Sequence, residues 1–94
     1  MVIGVCTVVL RIHGSQSLKD KRRVVKSILA KVRNQFNVSM AEVNANDVRK
    51  SAVLGIACVS SDAAYAHGLL TKVVETIENS RFDAEVADYK IEIL

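Results

Sequence analysis

The chain has 94 residues, of which 50% are hydrophobic and 24% charged, with a formal net charge of +3. That length holds one small core, so residues 1–94 are read as a single domain, and the composition excludes a disordered polymer. Arg11 interrupts the longest apolar run, which falls short of the roughly 20 residues a membrane span needs. The start, MVIGVCTVV, has neither the basic leader nor the cleavage site of a signal peptide, so a cytoplasmic protein with no membrane partner is expected.

In chain order, Val2 to His13 is rich in Val and Ile and reads as a strand. Ser17 is placed to cap a helix, with Asp20 three residues on completing a capping-box pattern. Behind it Val25, Ile28, Leu29, Val32 and Phe36 recur at helical spacing. Asn37 to Val43 alternates polar and apolar as a half-buried strand does, and Asn44 to Lys50 supplies turn residues. Ala52 to Ser60 is a second apolar strand. Ser61 or Asp62 then caps a helix whose Ala66, Leu70, Val73, Val74 and Ile77 form one stripe. Ala84 to Leu94 closes the chain, with Ala87, Tyr89, Ile91 and Ile93 on one face and Asp88, Lys90 and Glu92 on the other.

This βαββαβ order predicts an α+β, ferredoxin-like domain, in which two right-handed crossovers place both helices on one face of a four-stranded antiparallel sheet. The first and third strands are then central, and both are apolar on both faces. The helices cover only one face, so the other predicts an exposed apolar patch and a homodimer or higher oligomer, with that face or an edge strand contributing.

Cys6 and Cys58 lie in apolar runs with no CxxC pair, which excludes the usual zinc spacings and a disulfide framework; reduced, buried thiols are expected. His13 and His67 are paired with no nucleophile and not with each other, so neither a catalytic residue, a metal site nor a cofactor is expected. RIHGSQSLK has a superficial likeness to an acylphosphatase loop, but its arginine is not set close behind a glycine-rich turn and no catalytic asparagine can be placed.

The charge is where the sequence is most informative. Residues 19–33 hold seven of the thirteen basic residues and one acid, Asp20, so the rest of the chain sums to −3. Lys19, Lys21, Arg22 and Arg23 crowd the start of the first helix, where the helix dipole favours acids. At about 100° per residue, Arg22, Arg33, Lys26, Lys19 and Arg23 fall within an arc of about 100° on one flank, whereas Lys21 leans toward the core, near the Gly14–Gln16 loop. A one-sided cationic helix start suits phosphate. The central strands carry no aromatic residue, so base stacking on the sheet and DNA sequence readout are not expected; contact would run through phosphates.

The runs SLKDKRRVVKSILAKVRNQFNVSMAEV, VLGIACVSSD and AEVADYKIEIL resemble the YlxP-like family of small bacterial proteins across essentially the whole chain. The resemblance implies a ferredoxin-like fold, no established enzymatic activity, and a role near the ribosome, since the family's genes commonly lie beside translation and ribosome-maturation genes. The family's basic signature falls on Lys19, Lys21, Arg22, Arg23 and Lys26, and its FNVSxAE strand on Phe36, Asn37, Val38, Ser39, Ala41 and Glu42. Where family members often carry an acidic–aromatic DLWQR segment, this chain has Asp47, Val48, Arg49 and Lys50; the aromatic is gone, and Arg49 and Lys50 are read as compensating, secondary contacts.

The leading expectation is a non-enzymatic factor associated with RNA or a ribosomal subunit, binding phosphate through Lys19, Lys21, Arg22, Arg23, Lys26 and Arg33. The alternative is a homo-oligomeric small-ligand or regulatory module built on the open apolar sheet face.

Overall fold

The computed structural model describes residues 1–44 and 48–94. Six elements follow one another: β1 (Val2–Ile12), α1 (Leu18–Gln35), β2 (Ser39–Asn44), β3 (Ser51–Ser60), α2 (Ala63–Asn79) and β4 (Ala84–Ile93). They form a single antiparallel sheet in the order β2-β3-β1-β4, with β1 and β3 central as expected and both helices packed on one face.

Side-chain alternation builds the core. On β1, Cys6, Val8, Leu10 and Ile12 point to the helix side and are buried, as are Ala52, Leu54, Ile56 and Cys58 of β3. The stripes of α1 (Val25, Ile28, Val32) and α2 (Ala66, Leu70, Val73, Val74, Ile77) close over them. Burying such side chains stabilises the fold by about 1.5–3 kcal/mol each, measured against leaving them in water. Gly4 lets α2 sit directly on β1: a Cβ there would lie 2.9 Å from Leu70 Cδ1 and 3.0 Å from Cys58 Sγ. At the other end of β1, Gly14 takes φ of +69°, a left-handed conformation that favours glycine, and turns the chain into α1.

The α1 cap differs in detail from a full capping box. Ser17 Oγ accepts from the Asp20 backbone N–H at 3.1 Å, but the Asp20 carboxylate reaches back to the N–H of Gln16, at 3.2 Å. Asp62, not Ser61, caps α2, accepting from Tyr65 N–H at 2.9 Å. In β4 the expected face pattern needs correction at Ala87. The pairing shifts between Val9↔Asp88 and Leu10↔Val86, so Ala87 is the extra residue of a β-bulge and Val86 takes the helix-facing position.

The sheet's other face carries Ile3, Val5, Thr7 and Val9 of β1 directly opposite Val59, Ala57, Gly55 and Val53 of β3. Val43 folds over Gly55 from β2, its Cγ1 lying 2.8 Å from where a Cβ would stand. The face is apolar along its middle, as its sequence requires. Along β4 it turns charged, with Asp88, Lys90 and Glu92.

Candidate polyanion-binding surface

The structure divides the basic residues of α1 into groups with different surroundings. Lys19, Arg22, Arg23 and Lys26 are exposed, and among the described residues none of the four forms an ion pair. Asp20, the acid nearest to them in sequence, has one carboxylate oxygen engaged at the cap. Four cations therefore stand near a helix N-terminus; Arg23 borders a surface hollow that Asp20 and Asp83 also line, without an ion pair to either. Two destabilising terms result, mutual repulsion and opposition to the helix dipole, and an anionic ligand relieves both.

Arg33, in the last turn of α1, belongs to the same flank but is held. Its Nη2 donates to the carbonyl of Met40 on β2, which fixes the flank on the β2 side of the molecule. The opposite flank of α1 faces other partners: Lys31 Nζ stands 5.9 Å from the centre of the Phe82 ring.

Lys21 requires a correction. It is not a surface cation: its side chain is 1% exposed, and its Nζ lies 2.8 Å from Glu42 Oε2 and donates to the Val48 carbonyl at 2.6 Å. The helical angle had pointed it coreward, but its anchors are β2 and the segment before β3, not the Gly14–Gln16 loop. Buried charge is tolerated when it is paired and hydrogen-bonded, and both conditions are met here. Lys21 acts as a strut that ties the first turns of α1 to the sheet edge. Its partner had a sequence signal: Glu42 shares one face of β2 with the buried Met40, so the acid points under the helices.

The strut has a consequence for Arg49. With Val48 fixed to Lys21, Arg49 Nη1 donates to the Gln16 carbonyl at 3.2 Å, just ahead of α1. Arg49 thus joins the cationic helix start from 33 residues away in the chain. Lys50 follows it, exposed, while its carbonyl accepts from Ile12 N–H at 2.9 Å. Asp47, the acidic position of the DLWQR comparison, lies outside the described residues.

The remaining polar chemistry is sparse. His13 Nε2 is 3.8 Å from Glu85 on the exposed end of the sheet, and His67 is an exposed residue of α2. Among the described residues no three metal-binding side chains cluster. Cys6 and Cys58 are free and buried, and burial pushes the Cys6 thiol up to about 11, the direction of an inert thiol. No described helix is long and apolar enough to cross a membrane.

Element order, sheet order and one-sided helices define a ferredoxin-like α+β domain. Two designed proteins share this architecture: Foldit4, with a TM-score of 0.52 at 14% identity covering all of this chain and 97% of its own, and LFR1 1, described as having a ferredoxin fold, with a TM-score of 0.50 at 15% identity covering all of this chain and 83% of its own. At this level of identity the likeness concerns the fold alone. Residues 3–91 match the family described as "Protein of unknown function (DUF503)", and the chain belongs to that family. It is 40% identical over 68 residues to "Uncharacterized protein YlxP" of Bacillus subtilis (strain 168), an alignment covering 72% of this chain and 74% of the relative.

Proposed function

We propose that this protein is a non-enzymatic RNA-associated factor that binds phosphate backbone through the exposed flank of α1. The observation that carries the reading is the grouping of Lys19, Arg22, Arg23 and Lys26 on the surface without ion-pair partners among the described residues, with Arg49 brought alongside the helix start. Ammonium and guanidinium groups grouped in this way favour phosphate oxygens. The ligand is read as RNA because the cations extend along the helix and do not converge on one pocket. Side chains on a helix track a run of phosphates, and the central strands present no aromatic platform for bases.

Co-sedimentation with ribosomal subunits at low and moderate salt tests this reading. The wild-type protein is expected to pellet with a subunit at low salt, and R22E/R23E/K26E is expected to remain in the supernatant while keeping its circular dichroism spectrum. Equal pelleting of the folded triple variant would contradict the proposal.

A further inference from the structure

The two edges of the sheet are finished differently. On β2 the ladder to β3 pairs Ser39 with Ala57 and Ala41 with Gly55. The even-numbered residues of β3 are turned to β1, so Met40 and Glu42 present their backbone groups outward. This edge is short and blunted: the Arg33 guanidinium occupies the Met40 carbonyl, and the pairing shifts between Glu42 and Asn44. Charged side chains, short strands and bulges are the usual devices against pairing with another chain.

On β4 the corresponding edge is long and regular. Leu94 and Ile3 exchange both backbone hydrogen bonds, at 2.8 and 3.3 Å, so by alternation Glu92, Lys90 and Asp88 face β1 and Ile93, Ile91 and Tyr89 present N–H and C=O to the free edge. The Tyr89 N–H meets only the side chain of its neighbour Asp88, at 2.9 Å, which is consistent with an outward amide. The bulge at Ala87 lies beyond this stretch, so residues 88–94 remain an unbroken antiparallel template.

We propose that β4 pairs antiparallel with β4 of a second copy of this chain, about a two-fold axis through Ile91, to make a continuous eight-stranded sheet. The register follows from three requirements. Outward residues must pair with outward residues; the bulge must stay outside the paired stretch; and charges must oppose their opposites. Centring on Ile91 meets all three. Ile91 pairs with its copy and Tyr89 with Ile93 of the second chain, giving about six inter-strand hydrogen bonds. On the helix side, Tyr89, Ile91 and Ile93 of the two chains form one apolar row that extends the core, where Tyr89 is now 46% exposed. On the other side Lys90 of each chain opposes Glu92 of the other. Lys90 and Glu92 already form an ion pair at 2.8 Å within one chain, so the two copies make an alternating square of four charges. Centring on Tyr89 instead would drive the bulge into the ladder.

A two-fold axis normal to the sheet keeps all helices on one side. The two β2 edges, each with Arg33 anchored to it, then lie about 34 Å apart at a strand spacing near 4.8 Å. The dimer does not depend on RNA binding, and either claim can fail without the other.

Sedimentation velocity with hydrogen exchange tests the proposal on the intact chain. The wild type is expected to be a dimer at high micromolar concentration, with the Ile91 and Ile93 amides protected there and exchanging freely on dilution. K90E, which gathers four carboxylates, and E92K, which gathers four ammonium groups, should each weaken dimerisation by about tenfold or more, and the double swap K90E/E92K should restore it. Lys90 and Glu92 are exposed, so these variants leave the fold intact. A monomeric wild type, or a dimer in which the Ile91 and Ile93 amides exchange freely, would overturn the proposal.

Discussion

Lys21 and Arg22 are neighbours in sequence with the same formal charge, yet one is a structural strut and the other an exposed cation. The difference is one helical step of about 100°, which carries Lys21 onto the core side and Arg22 onto the flank. Replacing Lys21 by Met keeps the packed stem but leaves Glu42, 18% exposed, without that ammonium. K21M is expected to cost about 2–4 kcal/mol in urea denaturation, and K21M/E42L to recover much of that loss, since removing both members of a buried pair is far milder than removing one. At Gly4 a new Cβ meets Leu70 and Cys58, so G4A should destabilise by about 1–3 kcal/mol, read by the same denaturation. Cys6 gives a pH signature. Burial lifts its folded-state value to about 11, above the ordinary 9.0. A group with a raised value in the fold holds its proton longer there than in the unfolded chain, so its contribution is intact below pH 9 and declines between about pH 9 and 11. The loss should approach 2–3 kcal/mol and be absent in C6A, as measured by denaturation at stepped pH.

At the scale of elements, the Val- and Ile-rich runs of β1 and β3 and the apolar stripes of α1 and α2 made strands, helices and crossovers legible from the residues alone, because β-branched runs favour strands and one-sided burial writes a helical period into the sequence. The bulge at Ala87 left a trace that grouping Ala87 with Tyr89 passed over: Ala84 and Val86 are apolar at even positions and Tyr89, Ile91 and Ile93 at odd ones, so the phase breaks between them. One feature lacked such a signal. The tether from Arg49 to the Gln16 carbonyl spans 33 residues and depends on where Lys21 holds Val48, a tertiary fact without local pattern. The angle of Lys21 was legible, but its destination was not. Element-level reasoning also separates the two ends of the α1 flank. Removing the Arg33 guanidinium, as in R33A, uncovers the Met40 carbonyl on the β2 edge. It should raise amide exchange in β2 and reduce RNA affinity less than R22E does, measured by hydrogen exchange and filter binding respectively.

Over the whole molecule, charge and surface are segregated. Arg33, at the far end of the cationic flank of α1, is anchored to β2, and Arg49 joins the start of the helix at Gln16. The acids of β4, Glu85, Asp88 and Glu92, lie at the opposite edge, where Arg11 pairs with Glu85 at 2.6 Å and Lys90 with Glu92. Such a dipolar distribution orients the molecule toward a polyanion with its α1 side first and keeps the acidic edge away from it. It also explains why a modest net charge of +3 understates the local field, since seven of the thirteen basic residues lie on α1 and nine of the ten acids lie elsewhere. The central claim is that this flank meets phosphate. It is tested most directly by the salt dependence of affinity for a structured ribosomal RNA fragment. Three to four phosphate contacts predict a slope of log affinity against log salt near −3, or about a sixtyfold loss between about 50 and 200 mM, flattening in R22E/R23E/K26E. A wild-type slope near zero, or one unchanged in the triple variant, would contradict the account.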